Sequence, residues 1–248
     1  MTPVEARWTS VVRPAEGPPD RRVVVFPHAG SGPNALLPLL GCLPPSYEVL
    51  GVTLPGRERR LAEPVKGIAA DPCAAVHAIL GELAAVPPLP TVLFGHSMGA
   101  GVATALALTE PRRFTGLVLS AYPSGGAEPE RAGHWDEAAL LDIVRRGGGT
   151  PDVVLLHPFW RDQFLELLHG DLSLAVRLAQ PAFLGPVHVP LTVLGGERDA
   201  LVPAADLSSW VPRAAAGLRL RTYPGGHFYL LDAKNRTDVA AEIVRAAG

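Results

Sequence analysis

Short β-forming runs alternate along the chain with stretches whose apolar residues recur at helical spacing. The β-forming runs are Arg22–Phe26, Tyr47–Leu54, Val92–Phe94, Phe114–Ala121, Leu191–Leu194 and Leu218–Tyr223. Arg22–Phe26, R-V-V-V-F, is the kind of run that a parallel sheet buries on both faces. The helical stretches are Asn34–Cys42, with Pro38 at its start or at a kink, and a segment capped by Asp71 with Pro72 in first position. That second helix carries Val76, Ile79, Leu80 and Leu83. Further helices are expected after Val92–Phe94, at about 203–210 and at Thr237–Ala247. Residues 1–20 are polar and proline-rich and predict only a loosely packed lead-in. Strand–helix alternation of this kind predicts an α/β fold, a mostly parallel central sheet with helices on both faces.

The rhythm breaks once. Residues 123–186 hold two helical patterns, Asp136–Arg146 and Phe159–Leu178, and no convincing parallel strand. Leu140, Ile143 and Val144 share a face in the first, and Phe164, Leu167 and Leu168 in the second. A connection needs fewer residues than this, and insertions of the kind often act as lids. A single domain over 1–248 with a helical lid insertion at about 123–186 is expected.

Composition narrows the possibilities. The chain has 248 residues, 48% hydrophobic and 19% charged, with a net charge of −2. That suits a globular protein with ample core and gives no sign of nucleic acid or membrane as a partner. No signal-peptide pattern opens the chain, no uncharged run approaches a bilayer span, and with the free cysteines a cytoplasmic location is expected; separately, a monomer is expected. Cys42 and Cys73 form no metal pattern and are expected to be buried free thiols in apolar helices; no metal is expected.

The chemistry concentrates in Gly95-His96-Ser97-Met98-Gly99, between the strand Val92–Phe94 and a run of small apolar residues. G-x-S-x-G between strand and helix is the nucleophile elbow, in which a strained turn lifts the serine hydroxyl into an open site. A side chain at Gly95 or Gly99 would collide with the neighbouring strand or helix. A serine needs a base, and in such sheets the acid and then the histidine follow it on loops after later strands. Of eight histidines, His227 alone stands late in the chain, in a Gly-Gly turn after a strand. His96 is expected to point away from the nucleophile's side. Asp199 ends the loop after Leu191–Leu194 and is the expected acid. Glu197, Asp206 and Asp171 read as solvated charges. An oxyanion hole would take one N–H from Met98 and one from the loop after the first strand, at Ala29. His28, Gly30 and Phe228 are the expected substrate contacts.

These motifs resemble one family: the stand-alone type II thioesterases that accompany polyketide and nonribosomal peptide synthases. The matching stretches are F-P-H-A-G at 26–30, L-P-G-R-E-x-R at 54–60 followed by Glu63-Pro64, G-H-S-M-G-A at 95–100, G-G-x-x-D at 195–199 and G-G-H-F at 225–228. Gly148-Gly149-Thr150-Pro151 is similar to the family's turn between lid helices. The resemblance implies an α/β-hydrolase fold with a helical lid and a triad of Ser97, Asp199 and His227. It also implies an oxyanion hole from Ala29 and Met98. The substrates would be acyl groups held as thioesters on the phosphopantetheine arm of acyl or peptidyl carrier proteins. Those carriers would be transient partners, and no cofactor would be needed. The usual task in the family is editing, the removal of stalled or misprimed acyl chains.

Three positions depart from the family pattern. Ser31 stands where a second glycine is usual, Ala121-Tyr122-Pro123 lacks the usual basic residue, and the lid's basic-small-acidic triplet reads His169-Gly170-Asp171. Two other readings stay open. One is an esterase or lipase of the same fold acting on free esters, and the other is a non-catalytic binder. Carrier proteins are typically acidic, so Arg57, Arg59, Arg60, Arg145 and Arg146 are candidates for a docking surface. The lid is expected to roof an acyl channel and to move when substrate enters.

Overall fold

The computed structural model describes residues 7–65, 71–127, 134–180 and 183–248. Seven strands form one sheet: β1 Thr9–Arg13, β2 Arg21–Phe26, β3 Tyr47–Val52, β4 Thr91–His96, β5 Gly116–Ser120, β6 Leu191–Gly196 and β7 Leu218–Tyr223. Their order is β1-β3-β2-β4-β5-β6-β7. All neighbours are parallel except β1, which runs antiparallel to β3. The chain steps outward from β2 to β3 and then returns to β4 on the other side of β2. A crevice opens at the carboxyl ends of strands where the winding reverses like this, here between the loops after β2 and β4.

The apolar strands behave as their composition predicts. Val24 and Phe26 of β2 join one core layer, and Val23 and Val25 join the other. The first layer is covered by α2 Pro72–Ala84 and α3 Met98–Thr109, the second by α1 Leu37–Leu40 and α7 Ala233–Ala246. The Asp71 side chain caps α2 by accepting the Ala74 N–H over 2.9 Å.

Between β5 and β6 lie α4 Glu137–Gly147, α5 Asp152–Leu156 and α6 Pro158–Leu178. Leu140, Val144, Leu165, Leu168 and Leu172 form a small core of their own with Trp135. Further along α6, Leu174, Ala175 and Leu178 belong to the main core.

Several expectations are corrected. The polar lead-in contains β1, an edge strand held by polar contacts that apolar periodicity does not report. The Glu82 carboxylate accepts the Trp8 and Thr9 N–H groups at 2.7 and 2.8 Å, and the Arg13 guanidinium donates to three carbonyls before and within β3. The expected helix at 34–42 is a 3₁₀ turn, Pro33–Leu36, followed by the single turn of α1, because two prolines interrupt it. The expected helix at 203–210 is 3₁₀ over Ala204–Arg213, and α5 was not anticipated. Cys42 and Cys73 are exposed. The helix α2 buries Ala75, Val76, Ile79, Leu80 and Leu83, and Cys73 lies off that face.

Candidate active site

Ser97 sits between β4 and α3 at φ 53°, ψ −128°, a conformation that L-residues rarely adopt and that costs about 1–3 kcal/mol. Its N–H donates to the Ser120 carbonyl on β5 over 2.8 Å, which ties the turn to the neighbouring strand. A Cβ at Gly95 would lie 2.5 Å from Ala100 Cα, and one at Gly99 would overlap the Phe26 and Pro27 carbonyls. Both glycines are therefore required by close backbone approach. Met98 is the first residue of α3, so its N–H has no intrahelical acceptor. Among the described residues, no acceptor takes the Ala29 N–H either. These two amides border the crevice between β2 and β4.

Asp199 and His227 meet across the ends of β6 and β7. His227 Nδ1 and Asp199 Oδ2 are 2.7 Å apart, with both side chains almost wholly buried. A carboxylate only accepts, so the ring proton lies on Nδ1 and Nε2 is left free to take a proton. The other carboxylate oxygen accepts the Leu201 and Val202 N–H groups at 2.9 and 3.0 Å. Asp199 is thus held by the backbone on one side and holds the imidazole with the other. Glu197 and Asp206 are exposed, as expected for solvated charges.

His96 does not point away from this edge. It is fully buried, its ring centroid lies 5.0 Å from that of His227, and its Nδ1 lies 3.0 Å from Ser120 Oγ. Ser120 Oγ is in turn 2.7 Å from the Tyr229 hydroxyl, whose pKa burial pushes up. Neither Ser120 nor Tyr229 was singled out from the sequence, because an apolar strand and a 3₁₀ turn gave no sign of a polar chain beneath the site. The His28 ring lies 5.6 Å from His96, and its Nδ1 is shut off from solvent although the residue as a whole is half-buried. Burial, then the charges of His227 and Arg57, pushes the His28 pKa down to about 3. Burial also holds His96 well below the usual range. Both rings are neutral at physiological pH. Phe228 packs edge-on against His28, His96 and His227 at 4.7–5.5 Å.

Ser97 and His227 open into one cavity of about 100 Å³. Ala29, Gly30, His28 and Phe228 line its floor, and Ile143, Val144, Phe164, Leu168 and Leu172 of the lid helices roof it. Gly149, at φ 81°, lets the lid turn rest on Phe228, since a Cβ there would approach the Phe228 ring to 2.6 Å.

The charged residues around the lid are placed differently from their expectation. Asp171, expected to be solvated, is fully buried and forms a two-pronged ion pair with Arg57, both contacts at 2.6 Å. Arg57 is therefore no part of an exposed docking surface. Arg60 is also buried: it pairs with Glu63 at 2.6 Å, donates to the Thr53 carbonyl and stacks on Trp8. Arg59, Arg145 and Arg146 remain exposed. Among the described residues, no cluster of His, Cys, Asp and Glu is placed to hold a metal ion, and no helix is long and apolar enough to cross a membrane.

A mostly parallel sheet with a strained serine elbow, a late Asp–His pair and a helical roof defines an α/β-hydrolase. Residues 21–246 match the thioesterase domain model, and the chain belongs to that family. It is 33% identical over 225 residues to thioesterase PikA5 of Streptomyces venezuelae, covering 85% of this chain and 76% of that one. It is also 33% identical over 245 residues to a probable cadicidin biosynthesis thioesterase of Streptomyces griseus. That match covers 95% of this chain and 65% of the relative's length. Among solved structures it is similar to RedJ, a thioesterase from the prodiginine pathway of Streptomyces coelicolor, with a TM-score of 0.75, 28% identity and 96% of each chain covered. It is likewise similar to the type II thioesterase BorB of the borrelidin biosynthetic cluster, with a TM-score of 0.72, 26% identity, and 97% and 96% covered. The resemblance seen in the motifs and the family match agree.

Proposed function

We propose that the chain hydrolyses acyl thioesters carried on the phosphopantetheine arm of acyl or peptidyl carrier proteins, editing a polyketide or nonribosomal peptide synthase. The observation that carries this reading is one apolar, lid-roofed cavity into which both Ser97 and the Asp199-held His227 open. In the proposed reaction Ser97 Oγ attacks the thioester carbonyl carbon and His227 Nε2 takes the hydroxyl proton. The Ala29 and Met98 N–H groups hold the oxyanion of the tetrahedral intermediate. The intermediate collapses, the C–S bond breaks, and His227 gives its proton to the leaving pantetheine sulfur. A water, deprotonated by the same nitrogen, then attacks the acyl-serine ester, the C–Oγ bond breaks as His227 returns the proton to Ser97 Oγ, and the acid is released. Asp199 keeps the imidazole in the productive tautomer and stabilises its charged form throughout. No cofactor enters the sequence.

The cavity suits a short acyl group. A dry cavity of about 150 Å³ holds benzene, so one of about 100 Å³ suits a chain of a few carbons. The test is a hydrolysis profile across carrier proteins loaded with acyl chains of increasing length, beside free esters of the same acyl groups. A preference for short carrier-bound thioesters is expected. Faster turnover of the free esters would make the protein a general esterase. Failure of a fluorophosphonate to label Ser97 would make it a binder.

A further inference from the structure

The proposed reaction uses the Ala29 N–H but does not explain what holds it. Beyond Pro27 and His28 the loop after β2 consists of small residues. The Ser31 N–H and Oγ–H both donate to the His28 carbonyl, at 3.2 and 3.0 Å, and Gly30 has φ 80°. That makes a tight turn at 28–31 with the expected oxyanion donor inside it. The His28 ring packs against His96 and Phe228, but among the described residues no side chain of the turn hydrogen-bonds outside it.

The anchor comes from the lid. The Gly30 N–H, one residue beyond the donor, donates to Asp171 Oδ2 over 2.7 Å. The same oxygen accepts Arg57 Nη1 at 2.6 Å, and Oδ1 accepts Arg57 Nη2 at 2.6 Å. Arg57 Nη1 also donates to the Ser31 carbonyl over 3.1 Å. The turn is therefore gripped on both sides of Gly30 by one desolvated ion pair whose side chains are 0% and 5% exposed. Asp171 stands on α6, the helix that also presents Phe164, Leu168 and Leu172 to the acyl cavity. The Phe164 ring closes over Gly30, where a Cβ would come within 2.7 Å of it.

We propose that Asp171 and Arg57 are positioning residues that set the oxyanion turn, so that the lid helix lining the acyl cavity also fixes the Ala29 N–H. The proposal rests on Ala29 being an oxyanion donor. A buried ion pair adds little net stability over well-packed apolar residues. A carboxylate that also accepts a loop amide beside the reacting atoms has a use that an apolar pair could not fill. Coupling follows from the same contacts: α6 cannot swing away from the sheet without withdrawing the acceptor from Gly30. The Gly30 contact is therefore kept by any lid movement that leaves α6 in place.

The test compares wild type with Asp171→Asn and Arg57→Lys on butyryl-N-acetylcysteamine and p-nitrophenyl butyrate. An oxyanion hole serves any acyl carbonyl. Absence of thioester turnover with intact ester turnover would thus defeat the thioesterase reading and leave this one testable. Loss of one oxyanion donor lowers kcat by about 10²–10³. Misplacement through Asp171→Asn should lower kcat by about 10–10³-fold on both substrates, with KM held within about threefold. The affinity for butylboronic acid, which mimics the tetrahedral intermediate, should fall in parallel. Arg57→Lys should lose less, because a charge still faces the carboxylate. A folded Asp171→Asn with wild-type kcat would overturn the proposal. So would a rise in KM at constant kcat, which would make the pair a wall of the acyl cavity. A third measurement needs no variant: the Gly30 amide of the ¹⁵N-labelled wild type should exchange slowly. Exchange at the rate of an open loop would also overturn the proposal.

Discussion

The sheet and the lid bury their apolar residues on different terms. In the sheet, Val23, Val24, Val25, Val92, Leu93 and Phe94 are all fully enclosed, because helices cover both faces. In the lid, Val153, Leu156, Phe159 and Trp160 are 55–81% exposed, and the buried residues of α4 form a separate small cluster with α6. Regions with few buried contacts open locally at lower free energy than the core. The boundary does not fall between lid and sheet, however. It runs through α6, whose last turns belong to the main core and whose Asp171 is locked to Arg57. The proposed chemistry thus lies on the side of that boundary that shares the main core, and the exposed apolar residues lie on the other.

The sharpest test of where the chemistry lies is removal of the proposed nucleophile or the proposed base. Ser97→Ala or His227→Ala should lower turnover by roughly 10⁴–10⁶ with the fold intact, because the two act as a unit. Near-normal turnover in a folded His227→Ala protein would move the base elsewhere. Asp199→Asn should cost about 10³–10⁴ by leaving the imidazole in the wrong tautomer. Steady-state kinetics on one thioester ranks the three.

Two ion pairs probe the boundary itself. Arg57→Ala leaves the buried Asp171 charge without its partner and should destabilise by about 3–5 kcal/mol. Arg146→Ala removes an exposed 3.6 Å pair with Asp142 on α4, together with a bond to the Ala200 carbonyl, and should cost under about 1 kcal/mol. Urea unfolding measures both, and equal losses would erase the distinction between the two regions. Hydrogen exchange sharpens it further. Amides of α4 and α5 should exchange faster than those of α6 at 172–178. Protection across 137–156 equal to that of β4 and β5 would mean a fixed roof.

A further test changes no residue and concerns pH. His28 is neutral in the folded protein down to about 3, whereas an unfolded histidine takes its proton near 6.5. Below that value the unfolded state binds more protons, so stability is full above about pH 6.5 and falls as the pH drops towards 3. His96 is displaced in the same direction. For His28 the slope is at most about 1.4 kcal/mol per pH unit in that window. Unfolding free energies at pH 7, 6 and 5 should show the slope, and His28→Asn should reduce it.

The elements that sequence determined by itself are the local ones. Strands buried on both faces announce themselves by uninterrupted apolar residues. The elbow announces itself by glycines whose missing side chains the tight turn requires, and Asp199 and His227 by chain order after later strands. The contacts that only the tertiary structure decided join residues far apart. Arg57 and Asp171 are separated by 114 positions, and in sequence a buried, paired charge is indistinguishable from a solvated one. The same holds for Arg60, for the polar chain from His96 through Ser120 to Tyr229, and for β1, whose partners are carboxylate and carbonyl groups on other elements. Apolar burial follows a period that can be read along the chain. Polar pairing is short-ranged and directional, and its partner is chosen only when the fold brings the two groups within hydrogen-bonding distance.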